Sequence, residues 1–526
     1  MIILGINDNH DSGAAIIKDG KIIAAINEER LNRIKMSYGM PVLAIKELLR
    51  MTNLTPEDID AITIGTIFAS YREQPAKHNE VESSSDVKRN RWLTSSTSKV
   101  LGPFFKTDLW SPTLKLILQT LYFPRFSLVR KWFKQNGFNC EVHFIDHHTS
   151  HAASAYYTSG KTRALNITLD GAGDTLSGSV WIGNSSNLKL LKKINEYNSI
   201  ALWYSYVTEL CGFTPIKHEG KITGLAAHGK PIYHKLFKKW IHYDGKGGFV
   251  NDSGSKHASA RKNILKHCKD FKREDLAASI QKLIETEVPP FVEYWMKQTQ
   301  CSDVTLSGGL FANVLLNQKI AEILGIKSVF IHPNMGDGGV AAGSALYFAC
   351  QQEKRLPYLM QHAYLGCSFS EAEIEIELKN HKLKYKKSKT LEKDVAKLLV
   401  KEFVVARFNG AMEYGPRALG NRTILYQARD PTINDWLNKR LHRCYDEETE
   451  ILTNQGWKFI KNISEKEVVA TLNSSKNKLE FQKINKKISY DYNGEMFKIK
   501  NNRIDLLVTP KHHRHNPKYS QSAYWV

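Results

Sequence analysis

The chain opens on an apolar run, Ile2 to Ile6, then a polar loop, NDNHDSG, then AAIIKDGKIIAAINEER. Asp19-Gly20 splits this last segment into two apolar halves, the short-range signature of a β-hairpin. The same order of signals returns later. Ala164 to Leu169 reads as a strand, DGAGDTLSG as a polar glycine-rich loop and SVWIG as a continuing strand. Strand, polar loop and strand, twice in one chain, predict a duplicated α/β fold whose two loops face one cleft. Residues 70–135 lack strand alternation, and SSSDVKRNRWLTSSTSKVLG reads as a loop or helical insertion. From Ile200 to Met360 the pattern is mostly helical, broken by short β runs in DVTLSGG and SVFIHPN. Near residue 355 the composition shifts and a new β/α pattern begins, LKYKKSKTLEKDVAKLLVKEFVVARFNG. A further break falls at Arg443, so the expected domains are 1–354, 355–443 and 444–526.

Composition narrows the class. A chain of 526 residues is too long for one ordinary core, and 42% apolar with 24% charged residues fits a soluble globular protein. The N-terminus has no basic n-region, which argues against a secretory signal, and no uncharged apolar stretch approaches the span of a bilayer. Seven scattered cysteines without a CxxC pair suggest reduced thiols in the cytoplasm. The formal charge of +21 points either to an anionic partner or to a solubilising surface. Its lysines are spread over helices such as KLFKKW and are not gathered in one arm. Nucleic acid is therefore the weaker reading, and a phosphate-bearing small molecule needs only a few of these charges.

Candidate chemistry begins with DHHTSHAASAYY. His147 and His151 stand four residues apart and share one face of a helix, the spacing that lets two imidazoles grip one metal. The alternative is an ordinary hydrogen-bonded helix start. Asp170 in ITLDGAG and Asp337 in NMGDGGVAAGSALY, each in a glycine-rich loop after an apolar run, favour ligation. Two imidazoles and two carboxylates suit a borderline divalent ion such as Fe or Zn. Asp146 is a candidate outer partner, and His148 points elsewhere.

Three glycine-rich segments resemble strand-to-helix loops that offer backbone N–H groups to phosphate. They are SGGLFANVLLNQ, with Gly308, Gly309 and Asn313; GDGGVAAGSALY, with Gly336 and Gly338; and HEGKITGLAAHGK, with Glu219 and Lys221. No GxxxxGK[ST] motif is present, which argues against a P-loop enzyme. His10 and Asp11 lie in the first polar loop, where an imidazole could act as general base on an incoming hydroxyl or simply bond to backbone.

Taken in order, NDNHDSGAAI, INEERLNRIK, DHHTSHAASAYY, LDGAGD, WYSYVTELCGFTPIKHEGKITGLAAHG, SGGLFANVLLNQKI, GDGGVAAGSALY and YGPRALGNRTIL resemble the carbamoyltransferases of the nodulation, cephamycin and tobramycin type. The resemblance implies an actin-like ATP-binding domain followed by a domain similar to those that make threonylcarbamoyl adenylate. It implies carbamoyl phosphate and ATP with Mg2+ as substrates, carbamoyl adenylate as intermediate and a hydroxylated acceptor. It places His147, His151, Asp170 and Asp337 on the family's iron ligands and His10 on its catalytic histidine. Arg417 and Arg422 would contact phosphate or carbamoyl oxygens, for which a forked guanidinium is suited. The EGK segment is shared without an assigned role. One departure stands out: after DWLNKRLHR the family pattern stops, so the chain as written is expected to make carbamoyl adenylate poorly. A tRNA threonylcarbamoyl-transferase-like protein, which shares the HxxxH pattern, is the competing reading.

CYDEETEILTNQGWKFIKNI begins abruptly at Cys444 and resembles the N-terminal splicing block of inteins, with a β-rich fold expected. NRIDLLVTPKHHRH resembles the second block, with Thr509 and His512 in TxxH spacing. A junction cysteine attacks the preceding carbonyl to give a thioester at Arg443, while a block histidine protonates that peptide. No C-terminal splicing block follows. Either a second chain carries the intein's C-terminal half, or the gene product is interrupted and the precursor inert.

Overall fold

A computed structural model describes residues 1–69, 76–77, 124–427, 450–464, 467–473, 478–484, 497–501 and 504–508. The chain divides into two compact units, one of Met1–Lys389 with Ala406–Ile424, the other of Thr390–Val405 with Leu425–Val526.

The first unit holds two five-stranded sheets. In the first, β1 (Ile2–Asn7), β2 (Gly13–Lys18) and β3 (Lys21–Asn27) form an antiparallel meander. β4 (Ala61–Ile64) and β5 (Glu141–Phe144) then add in parallel on the far side of β1, giving the order β3-β2-β1-β4-β5. The second sheet repeats the plan with β6 (Arg163–Gly173), β7 (Leu176–Asn184), β8 (Asn187–Asn195), β9 (Asp303–Ser307) and β10 (Ser328–Ile331). Its order is β8-β7-β6-β9-β10, with the same senses at each step. The expected duplication is thus present in the topology, although the two copies share little sequence.

Central strands carry apolar residues on both faces because both faces are covered. On β1, Ile3 packs with Ile17, Tyr156 and Leu346, while Leu4 and Ile6 face Ile62, Phe133 and Trp132. The expected hairpin at Asp19-Gly20 forms, with both residues at positive φ (51° and 75°), as a type I′ turn demands. At the second copy the structure differs from expectation. LDGAGD is not a free loop: β6 runs on to Gly173, and β7 follows after a two-residue turn at Asp174-Thr175, again at positive φ (49° and 74°). Gly173, one of the glycines that suggested a loop, serves close packing instead. A Cβ on Gly173 would lie 2.1 Å from the His147 ring.

Two helices meet between the sheets, α1 (His147–Thr158) and α2 (Val340–Glu353). The small residues of α2 bring backbones into contact: a Cβ on Gly343 would lie 1.9 Å from the Ser150 carbonyl oxygen, and one on Gly5 2.0 Å from that of Ala341. HEGKITGLAAHGK, expected as a strand-to-helix loop, folds as a helix, Glu219–Ala226. The insertion expected over 70–135 is helical at 124–135, and most of the rest lies outside the described residues. No helix among the described residues is long and apolar enough to cross a membrane.

In the second unit, β11 (Glu450–Thr453), β12 (Gly456–Phe459), β13 (Val468–Asn473) and β14 (Lys478–Lys483) form an antiparallel sheet in the order β12-β11-β13-β14. Cys444, Thr509 and His512 lie outside the described residues.

Candidate metal centre

Helix α1 begins where the Asp146 carboxylate accepts the Thr149 N–H. Asp146 is therefore a helix cap, which places His147 in the first turn and His151 one turn on. Their Nε2 atoms stand 3.1 Å apart. His147 Nε2 is 3.6 Å from Asp170 Oδ2 and 3.5 Å from Asp337 Oδ1, and His151 Nε2 is 3.4 Å from that same oxygen. All four ligand atoms lie within 4.8 Å of one another. Donors about 2.1 Å from one ion stand roughly 3.0 Å apart at right angles and roughly 3.4 Å apart in a tetrahedron. The four distances just given, 3.1–3.6 Å, are of that size. Two carboxylates also balance a divalent charge while both imidazoles stay neutral, so the donor set fits the ion expected from sequence.

The same carboxylates set the electrostatics of the cluster. Burial opposes ionisation of His147, but the Asp337 and Asp170 carboxylates outweigh it and hold the imidazole well above the usual histidine range. Asp337, despite burial, is held well below the usual carboxylate range by His10 and His147. The cluster keeps its charges by pairing them. His148 points away, as expected, with Nδ1 2.8 Å from Thr168 Oγ1; burial and its two neighbouring imidazoles push it down to about 3, so it is neutral.

His10 joins the cluster, its Nε2 3.0 Å from Asp337 Oδ2. Its loop is held by Asn7, whose fully buried amide donates to the carbonyls of His10 (2.9 Å), Asp11 (3.3 Å) and Asp337 (3.0 Å). Beside it the buried Asp8 carboxylate receives both bonds from one Arg125 nitrogen, at 2.7 and 2.9 Å. Asn7, Asp8 and Arg125 were not singled out by sequence, because nothing local marks an asparagine whose partner is 330 positions away.

The glycine loops have protein partners of their own. The Gly309 N–H donates to Asp170 Oδ1 at 2.9 Å, orienting that carboxylate, and the Gly308 N–H donates to the Met335 carbonyl at 2.7 Å. Gly336 is partly open, and Gly338 packs on Asn27 and Asn334. Asn313 caps the helix Val314–Ala321 and bonds to Gln281 and Thr223. Glu219 accepts from the Ser205 hydroxyl and the Ile216 N–H. Arg417 is exposed. Arg422 donates to the carbonyls of Asn409, Asn421, Cys367 and Gly410 and stacks on Phe408 at 3.6 Å, which leaves Nε as its remaining donor among the described residues. Glu413, also unmarked by sequence, shapes the arginine loop by accepting the N–H groups of Leu419, Asn421 and Arg422.

Gly173→Ala is expected to lower divalent-metal affinity at least about tenfold, since a methyl there collides with the His147 ring. Titration of the purified variant with Co2+ checks this; wild-type affinity would mean the ring can move away freely.

Residues 2–346 match the family model for the carbamoyltransferase N-terminus, and residues 396–445 that for the carbamoyltransferase C-terminus. An uncharacterized protein of Methanocaldococcus jannaschii is 30% identical over 477 residues, covering 82% of this chain and 78% of its own length. One from Synechocystis is 29% identical over 471 residues, 84% of this chain and 73% of that protein. The nodulation protein NolNO of Sinorhizobium fredii is 28% identical over 441 residues, 82% of this chain and 60% of its own length. With these matches spread along both the sheet pair and the arginine loop, the chain belongs to the carbamoyltransferase family.

Proposed function

We propose that this chain is an ATP-dependent O-carbamoyltransferase of the cytoplasm, acting through carbamoyl adenylate made from carbamoyl phosphate and ATP with Mg2+. The carrying observation is the convergence of His10, His147, His151, Asp170 and Asp337 in a chain of this family. The duplicated sheets support an actin-like domain, with Gly336 and Gly338 on either side of Asp337. His147, His151, Asp170 and Asp337 would hold the ion, Fe2+ by resemblance, which polarises a carbonyl or neutralises phosphate when bound. The acceptor hydroxyl oxygen bonds to the carbamoyl carbon, the bond from that carbon to the AMP oxygen breaks, and AMP leaves. His10 Nε2 takes the hydroxyl proton. The Asp337 field that now keeps His10 charged is the field a cation would neutralise, returning the imidazole to its basic form. Arg417 supplies an exposed guanidinium for phosphate oxygens.

In the same reading Cys444 is the splicing nucleophile of an intein-like segment that interrupts the adenylate-forming domain. Two observations support it: the family match ends at residue 445, and an antiparallel sheet distinct from the first unit begins at Glu450. Incubation with a matching C-terminal half should yield a ligated product, and Cys444→Ala should abolish it; ligation without the thiol sinks the splicing reading. The ligated protein should convert a hydroxylated acceptor only with ATP and carbamoyl phosphate present, with His10→Gln slowed about 100-fold or more. Absence of product across sugar and small-alcohol acceptors would refute the transferase assignment.

A further inference from the structure

The His147 imidazole lacks the usual device that orients a ligating histidine. Its Nδ1 is buried without a protein acceptor among the described residues. What fixes it lies on its backbone. The His147 N–H donates to Asp174 Oδ2 at 2.8 Å. Asp174 is buried and takes three further donors: the Thr66 hydroxyl at 3.2 Å, the Ile67 N–H at 3.0 Å and the Phe68 N–H at 2.8 Å.

These donors come from the loop after β4, in the first sheet, and from the start of α1. The acceptor comes from the β6–β7 turn, in the second. That turn holds Asp174 and the β-branched Thr175 both at positive φ, a conformation disfavoured for threonine that persists only where surrounding bonds over-determine it. Asp174 is four residues past the ligand Asp170 on the same chain segment, so one turn sets both a ligand and the seat of another.

We propose that Asp174 is a positioning residue that sets His147 in its ligating pose and pins the two halves of the duplicated fold beneath the metal centre. This rests on the metal reading above. Its effect passes through His147, so it predicts a defined coupling.

Asp174→Asn should bind Co2+ about 10- to 100-fold more weakly than wild type. It should shift the visible spectrum of the bound Co2+, and in the metal-free protein it should raise amide exchange at residues 66–68 and 147. In a His147→Ala background the same change should cost no further affinity. Wild-type Co2+ affinity and spectrum in Asp174→Asn, or a full additional loss without His147, overturns the proposal. If Asp174→Asn does not fold, Thr66→Val removes one donor more gently. A few-fold loss of affinity then supports the role, and unchanged affinity leaves Asp174 a purely structural residue. Failure of the wild-type protein to bind any divalent ion would instead refute the metal reading, while the metal-free exchange result would still report on the Asp174 clamp.

Discussion

Asp337→Asn is expected to lower divalent-metal affinity by more than about 100-fold, the upper end of what loss of an outer partner costs, and to reduce carbamoyl transfer to background. Three imidazoles converge on this carboxylate: His10 at 3.0 Å, His151 at 3.4 Å and His147 at 3.5 Å. Asparagine keeps the shape but removes the charge that holds them, and it turns one acceptor into a donor facing N–H groups. Isothermal titration with Co2+ or Zn2+, with elemental analysis of the purified protein, reads the effect. Because the Asp337 backbone carbonyl still accepts from Asn7, the fold should survive, and an unchanged melting curve would confirm that the loss is local. Retention of stoichiometric metal by the variant would remove Asp337 from the ligand set.

Arg125→Met is expected to destabilise the first unit by about 3–5 kcal/mol, the usual result of leaving one partner of a buried ion pair uncompensated. Both side chains are sealed, at 3% exposure for Arg125 and 2% for Asp8. Arg125 also donates to the carbonyls of Thr66 and Ile67, so its loss strands three acceptors at once. Adding Asp8→Asn should recover part of the loss, because the buried charge is then gone. Urea unfolding of the two variants measures both steps. A midpoint for Arg125→Met within about 0.5 kcal/mol of wild type would mean that water reaches Asp8 after all.

The residues that sequence could mark are those whose chemistry is local. His147 and His151 are adjacent on a helix face, and Asp170 and Asp337 each follow an apolar run with glycines behind. The histidine spacing is ambiguous by itself, and the two aspartates in their glycine-rich loops are what favour a shared ligand. The hairpin at Asp19-Gly20 was legible for the same reason, since its turn type depends on two residues. What escaped is what tertiary contact decides. LDGAGD carries a loop's composition, yet its Gly173 lies within a strand and leaves room for the His147 ring. Arg422 sits in a motif that suggests anion binding, but four of its donors meet backbone carbonyls, three in its own loop and one at Cys367. Asp174 lies inside a quoted motif and still gave no sign, because its donors arrive from residues 66–68 and 147. The duplication was visible as a rhythm of strands and loops, whereas the identity of the two sheet orders needed pairing across distant segments.

That pairing has a temporal side. Strand β9 aligns Val304 beside Leu165, and Asp337 follows only after β10. A nascent chain that has emerged as far as residue 300 carries both imidazoles, Asp170 and the whole first sheet, but neither the two strands that complete the second sheet nor the last carboxylate. Contacts of such long range close slowly and late. On the proposed metal reading, an ion would have no complete seat until Asp337 and the helix that follows it have been made. Such an ion would be loaded into a core already formed, and would not be the nucleus around which that core forms.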